Sequence, residues 1–350
     1  MIQNFQGVEI KAITSCVPKK IISNDFFEDL LTTKERRIFE KTTGIYQRRW
    51  AEDNVTASDL GFEAASLLLS ENGIHEDEID CLIFLSQTPD YQIPFTSNIL
   101  QHRLGLNKEI LCFDINAGCA GFIQGLSTSF SVAKTLPKGK VLFIIAETLS
   151  KILSYKDRST AMLFGDGAAA VLIENTENQN CTASFNFFSD GSNADAIMIP
   201  DGGYRNIVSS GSLKPIGGEN DIKRSKVNLA MDGPRVFDFT IREIAPKVKE
   251  LISNQNVDIN LIDYFLLHQS NQFIIKQIAS QLDVPVEKML INIDKFGNTS
   301  GVSIPLLMAS NIEKISEAKK LVLSGYGSGL SWANCMLSMP NMKVFPTIEV

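Results

Sequence analysis

The feature that most constrains this chain is an internal duplication. "IDCLIFLSQ" (79–87), "ILCFDINAGCAGFIQGLSTSFSVA" (110–133) and "GKVLFIIAE" (139–147) recur in order as "IDYFLLHQS" (262–270), "MLINIDKFGNTSGVSIPLLMASNI" (289–312) and "KKLVLSGYG" (319–327). The offset stays near about 180 residues: Asp80 falls against Asp263, Gly121 against Gly301 and Lys140 against Lys320. Each half has a helical stretch between its first and second runs, "TSNILQHRLGL" and "NQFIIKQIASQL". Three segments at near-constant spacing predict two copies of one supersecondary unit. The runs are almost continuous in Ile, Leu, Val and Phe, which predicts strands covered on both faces, hence an α/β fold. The expected halves are 1–175 and 176–350, with a long surface loop near 199–227, rich in Gly, Ser and basic residues, where binding or mobility is plausible. Residues 24–40 read as a charged helical stretch, and Pro246 as a bend or stop within the helical pattern of 233–254.

Composition narrows the function classes. A net charge of -7 argues against a nucleic-acid partner, which needs a basic surface. No apolar run is long enough for a membrane span. The first residues, "MIQNFQGVEIKAITS", lack the basic and apolar regions of a secretory signal, so a cytoplasmic protein is expected. Six scattered cysteines without a CxxC pair fit reduced thiols, not a zinc site or a disulfide framework.

Three polar residues stand at equivalent strand exits. Cys119 lies where a buried strand gives way to a helix, among Ala117, Gly118, Ala120 and Gly121. Free N–H groups of a first helical turn favour a thiolate there, and small neighbours admit a substrate. The ordinary alternative, a buried structural thiol, fits Cys112 between Leu111 and Phe113 much better. His268 closes the apolar run "DYFLL", where open α/β sheets place ligands; His75 and His102 read as solvated. Asn298 sits in "KFGNTSG", the counterpart of the Cys119 turn, and on its own would be only a turn or cap. If the halves pack about a pseudo-two-fold axis, the three converge on one pocket. "GYGSGLSWA" (325–333) is either a tight turn or a source of oxyanion donors, and "FGDGAAAVLIE" reads as close backbone packing. No dinucleotide fingerprint or phosphate loop is present.

"INAGCAGF", "LLHQSN" and "FGNTSGVSIPL", in this order, resemble the three catalytic motifs of β-ketoacyl-ACP synthase III, of the thiolase superfamily. "TGIYQRRWA", "DLGFEAASLLL", "LFGDGAAAVLIE" and "MDGPRVF" extend the resemblance over nearly the whole chain. It implies a thiolase-like homodimer of five αβαβα layers. It also implies that Cys119 takes an acyl group from acyl-CoA or acyl-ACP, that His268 and Asn298 hold malonyl-ACP as it loses carbon dioxide, and that the N–H groups of Cys119 and Ser328 form an oxyanion hole. The partner is acyl carrier protein, and no metal or other cofactor is implied. Four positions depart from the family pattern: Ile38 and Thr42 replace a Trp and an Arg that hold CoA adenine, Phe273 replaces a basic docking residue, and Ile93 replaces a Phe that caps the acyl pocket. These point away from acetyl-CoA and toward a longer or bulkier acyl group. Two rival chemistries share the triad: acyl transfer from Cys119 to a non-malonyl nucleophile, and a cysteine peptidase. A scaffold that kept the fold without catalysis is a third reading.

Overall fold

The structure, a computed structural model, describes residues 1–217 and 223–350. Two large sheets carry the duplication. In one, Val8–Val17, Gly167–Asn175, Lys140–Glu147, Cys81–Leu85 and Leu111–Ile115 lie side by side in that order. In the other, Ile2–Gln6, Thr182–Ser189, Ser331–Ser338, Leu321–Gly327 and Tyr264–Leu267 do the same. The pairing directions repeat. Cys81–Leu85 runs parallel to Lys140–Glu147, which is antiparallel to Gly167–Asn175. Tyr264–Leu267 runs parallel to Leu321–Gly327, which is antiparallel to Ser331–Ser338.

The five expected layers are present, and strand periodicity explains them. Along Cys81–Leu85, Ile83 and Leu85 face the middle of the molecule, whereas Leu82 and Phe84 face outward, as a period of two requires. The middle layer holds the helix Gly121–Ala133 and the shorter helix Ser303–Ala309, wedged between the two sheets. Phe122, Ile123, Leu126 and Phe130 are fully buried there, each contributing roughly 1.5–3 kcal/mol. Ser129 tolerates the same environment because its hydroxyl donates to the Gly125 carbonyl at 2.7 Å. Helix Ala57–Asn72 covers the outside of the first sheet, and helices Gly233–Asn254 and Gln272–Leu282 cover the outside of the second.

The copies differ in one respect. "MLINID" was expected to repeat the edge strand Leu111–Ile115, but it makes only an isolated bridge between Met289 and Phe265 and then turns into the short helix Ile293–Phe296. Gln269 accounts for the break: its side-chain carbonyl accepts from the Asn292 N–H at 3.2 Å, occupying the group a strand would have used. The chain ends also cross over. Ile2–Gln6 joins the second sheet, and Lys343–Val344 and Ile348–Glu349 join the first. The charged stretch at 24–40 is a 3-10 turn, Asn24–Phe27, followed by the helix Thr33–Thr43, whose start is fixed by a Thr32–Glu35 capping box. Pro246 does not end its helix, because Phe239 and Ile244 before it and Val248 and Ile252 after it pack into one core. The described part of the 199–227 loop runs over the surface, with Tyr204 and Ile207 largely exposed; residues 218–222 lie outside the described residues.

Gly125 shows how tightly the middle layer is set: a Cβ there would run into the Phe143 ring. Gly125→Ala should cost about 1–3 kcal/mol, the usual range for overpacking, with part recovered by adding Phe143→Leu. Denaturant unfolding of the single and double variants checks this.

Candidate active site

Cys119 stands in the turn that leads from Leu111–Ile115 into the helix Gly121–Ala133. The glycines around it answer why that turn is built of small residues. A Cβ on Gly325 would sit 2.7 Å from the Cys119 carbonyl oxygen, and one on Gly327 would sit 2.9 Å from its sulfur. Gly118 lies against the Gln87 amide and the Ser328 hydroxyl, and Gly301 against the Gly118 carbonyl. The backbones of the two halves therefore meet at the thiol with no room for a side chain. "GYGSG" is mostly the strand Leu321–Gly327 itself, and Gly325 and Gly327 are clearance for Cys119.

His268 follows Tyr264–Leu267 and is 1 % exposed. Its N–H donates to the Ser324 carbonyl at 2.8 Å, its Nδ1 lies 2.8 Å from Ser303 Oγ, and its ring meets Tyr326 edge-on. Asn298 is held from both sides of its backbone, donating to the Leu163 carbonyl and accepting from the Gly165 N–H. That contact needs Gly165 and Gly297, since a Cβ on either would strike the facing carbonyl of Phe296 or Leu163, which bears out the reading of "FGDG" as close packing. The Asn298 side-chain oxygen accepts from the Ser300 N–H at 2.9 Å, leaving its NH₂ group to donate. Cys119, His268, Asn298 and Ser328 all line one cavity of about 1080 Å³. The convergence expected from the duplication is thus in place.

The electrostatics are those of a dry site. Burial pushes the Cys119 thiol up to about 11; the Ser300 hydroxyl and the main chain of Cys119 pull it down, and negative charge on Glu147 pushes it up. The expectation of an easily ionised thiol at a helix start thus meets an opposing influence, burial, which is the largest one acting on the sulfur. Burial also lowers His268 to about 3, with a hydrogen bond to the Ser300 main chain acting the other way, so the ring is neutral. Glu147, at the end of Lys140–Glu147, is fully buried without a cation within 4.0 Å among the described residues. Its carboxyl accepts from the Gln87 N–H at 3.0 Å and from Thr88 Oγ1 at 2.9 Å, and Gln87 Nε2 in turn donates to Ser328 Oγ at 3.2 Å.

The four expected substrate contacts lie off the cavity wall. Ile38 and Thr42 share an exposed face of Thr33–Thr43, while Phe39 and Thr43, one step on, turn to the cavity. Phe273 is half-exposed and stacks on Phe237, which does line the cavity; Ile93 is 82 % exposed. Sequence reasoning missed Ser300, Ser303, Gln87 and Glu147. The duplication held no signal for them: at the register of Asp80 with Asp263, Gln87 falls opposite Ser270 and Leu85 opposite His268. Among the described residues no group of three or more His, Cys, Asp or Glu side chains could hold a metal, all six cysteines are free, and no helix is long and apolar enough to cross a membrane.

A duplicated αβαβα sandwich, with a cysteine at the start of one middle helix and a histidine and an asparagine facing it, defines the thiolase-like condensing enzymes. The profile of the 3-oxoacyl-[acyl-carrier-protein] synthase III C-terminal region matches residues 252–339, and that of 3-oxoacyl-[acyl-carrier-protein] synthase III matches 113–191. A β-ketoacyl-[acyl-carrier-protein] synthase III of Ehrlichia canis is 37% identical over 331 residues, covering 94% of this chain and 98% of that protein. One of Streptococcus sanguinis is 35% identical over 335 residues, covering 95% and 99%. The crystal structure of a 3-oxoacyl-(acyl-carrier protein) synthase from Burkholderia xenovorans superposes with a TM-score of 0.90 at 32% identity, covering 100% of this chain and 99% of that one. The chain belongs to the β-ketoacyl-[acyl-carrier-protein] synthase III family, and it is an enzyme, an acyltransferase.

Glu147 generates a prediction about pH. Burial raises it from 4.5 to about 8, so across that window the folded chain holds a proton that the unfolded chain has lost. Its contribution to stability is full below pH 4.5 and is lost as pH climbs toward 8. Glu147→Gln should flatten that slope in denaturant titrations run at several pH values; an unchanged slope would mean the folded carboxyl is already ionised.

Proposed function

We propose that this enzyme takes an acyl group from an acyl thioester onto Cys119 and condenses it with malonyl-ACP, releasing carbon dioxide and a 3-oxoacyl-ACP. The observation that carries the reading is the single cavity joining Cys119 of one half to His268 and Asn298 of the other. Decarboxylation of malonyl-ACP places negative charge on its thioester oxygen. With Nδ1 accepting from Ser303, the other His268 ring N–H would pass from the Ser300 main chain to that oxygen, and Asn298, its own oxygen engaged by Ser300, has an NH₂ group to give to it. Fixed donors in a dry site need no reorganisation as the charge forms, which makes them effective. The enolate then attacks the acyl carbon on Cys119. The main-chain N–H groups of Cys119 and Ser328 are suited to the oxyanion of that step. Nothing in this chemistry calls for a metal or other cofactor. Transfer of the acyl group to a non-malonyl nucleophile is not favoured, since the named relatives are synthases.

An apolar cluster continues the cavity beyond the thiol: Leu149, Ile152, Leu163, Phe164, Ile197 and Leu229. It supports an acyl group longer than acetyl. The lining also includes Arg158, Arg224 and Arg235, cations suited to the phosphate of a carrier's prosthetic arm. The strand Leu111–Ile115 forms an open sheet edge, with Leu111 exposed and Tyr91, Ile93 and Phe95 exposed in the loop before the helix Thr96–Arg103. This edge supports a homodimer in which Ile93 reaches toward the neighbouring protomer's cavity. Free cysteines fit a cytoplasmic setting, where acyl carrier protein is met.

The mass of the adduct on Cys119 after incubation with a panel of acyl thioesters tests the reading. Longer acyl groups should load faster than acetyl, and Cys119→Ala should load none. Asn298→Ala should keep the adduct yet slow carbon dioxide release roughly 100- to 1,000-fold, as loss of one oxyanion donor does. Acyl loading without carbon dioxide release from malonyl-ACP would favour acyl transfer instead. Sedimentation should give twice 38.6 kDa, and Leu111→Asp should shift it toward the monomer.

A further inference from the structure

Ser300 touches all three residues of the site. Its hydroxyl lies 3.6 Å from the Cys119 sulfur, its N–H donates to the Asn298 side chain at 2.9 Å, and its main chain bonds the His268 ring. It is 1 % exposed and lines the cavity. Its backbone adopts φ 50°, the left-handed region that favours glycine over serine. Strain of that kind persists where the surroundings over-determine it, and it clusters at functional sites. A glycine would hold the same backbone at lower conformational cost. What serine adds is the hydroxyl, and among the described residues that hydroxyl's hydrogen-bond partner is the Cys119 sulfur.

We propose that Ser300 is a catalytic residue, its hydroxyl donating a hydrogen bond to the Cys119 sulfur whenever that sulfur carries thiolate charge. This rests on Cys119 being the acyl acceptor. The charge forms twice. During loading, the Cys119 S–C bond forms, the S–C bond of the incoming thioester breaks, and the proton shed by Cys119 ends on the departing sulfur. During condensation, the new C–C bond forms, the C–S bond to Cys119 breaks, and its electron pair returns to the Cys119 sulfur. Between these events the sulfur is a thioester, a poor acceptor, and the hydroxyl has nothing to stabilise. Malonyl decarboxylation, which builds charge at His268 and Asn298, does not need it. The desolvated thiol makes such a donor valuable, since burial otherwise opposes thiolate formation.

Ser300→Ala separates this role from a brace. Iodoacetamide alkylation of Cys119, followed across pH, should show its midpoint moved upward and its rate at a fixed pH lowered about tenfold, the effect of losing one hydrogen bond to a charged atom. Carbon dioxide release from malonyl-ACP by the acyl-enzyme should stay near the wild-type rate. Ser300→Gly, which accepts the left-handed backbone, should behave alike and serves if the alanine variant folds poorly. An alkylation profile that coincides with wild type overturns the proposal. So does an equal fall in carbon dioxide release, which would make Ser300 a brace for Asn298. Wild-type protein that forms no acyl-Cys119 defeats the proposed function; wild-type loading matched by both variants defeats only the role of Ser300.

Discussion

The structure depends on a contact in which glycines of the second half meet the Cys119 turn of the first. At Gly325 and Gly327 the second sheet presses against the Cys119 turn, and at Gly301 the turn leading into the second middle helix presses against Gly118. A methyl group at any of these positions would meet main chain or sulfur within 3.0 Å. These approaches set the distance between the halves. The packing of Gly121–Ala133 between two sheets and the reach of His268 and Asn298 toward the thiol follow from that distance. Close-packed interiors transmit such a constraint instead of absorbing it.

That closeness also decides the electrostatics. Around the thiol three ionisable groups are held toward their neutral forms: Cys119 raised, His268 lowered, Glu147 raised, all chiefly by burial. There the cavity presents oriented dipoles, with its charged arginines elsewhere on the wall. Ser303 fixes His268, Ser300 fixes Asn298, and Glu147 fixes Gln87, which reaches Ser328. Dipoles fixed in advance favour charge that forms during a reaction over charge already present, as condensation of two thioesters requires.

Much of this was legible in the sequence, for a reason specific to duplicated chains. Strand runs such as "CLIFL" and "YFLL" are apolar on both faces, so they mark themselves, and the repeat distance shows which ones correspond. Cys119, His268 and Asn298 were readable because each sits at an equivalent exit. Ser300, Ser303 and Glu147 were not, because serine in a turn and glutamate at a strand end are ordinary until their partners are known. The facing of Thr33–Thr43 was hidden for a related reason: the resemblance points to positions, and only the rotation of the helix shows that Phe39 and Thr43 turn to the cavity while Ile38 and Thr42 face outward. The missing second edge strand was equally hidden, since it rests on a side-chain bond from Gln269 that no periodicity records.

By itself the sequence determined the class of fold and the correspondence of the halves, and it singled out the cysteine proposed as nucleophile, because hydrophobic period and repeat spacing are local properties of a chain. The tertiary structure alone decided that the thiol is unionised, that the histidine is neutral and that Ser300 stands against the sulfur. Those are properties of desolvation and of contacts across about 180 residues, and they exist only once the two halves have closed on each other.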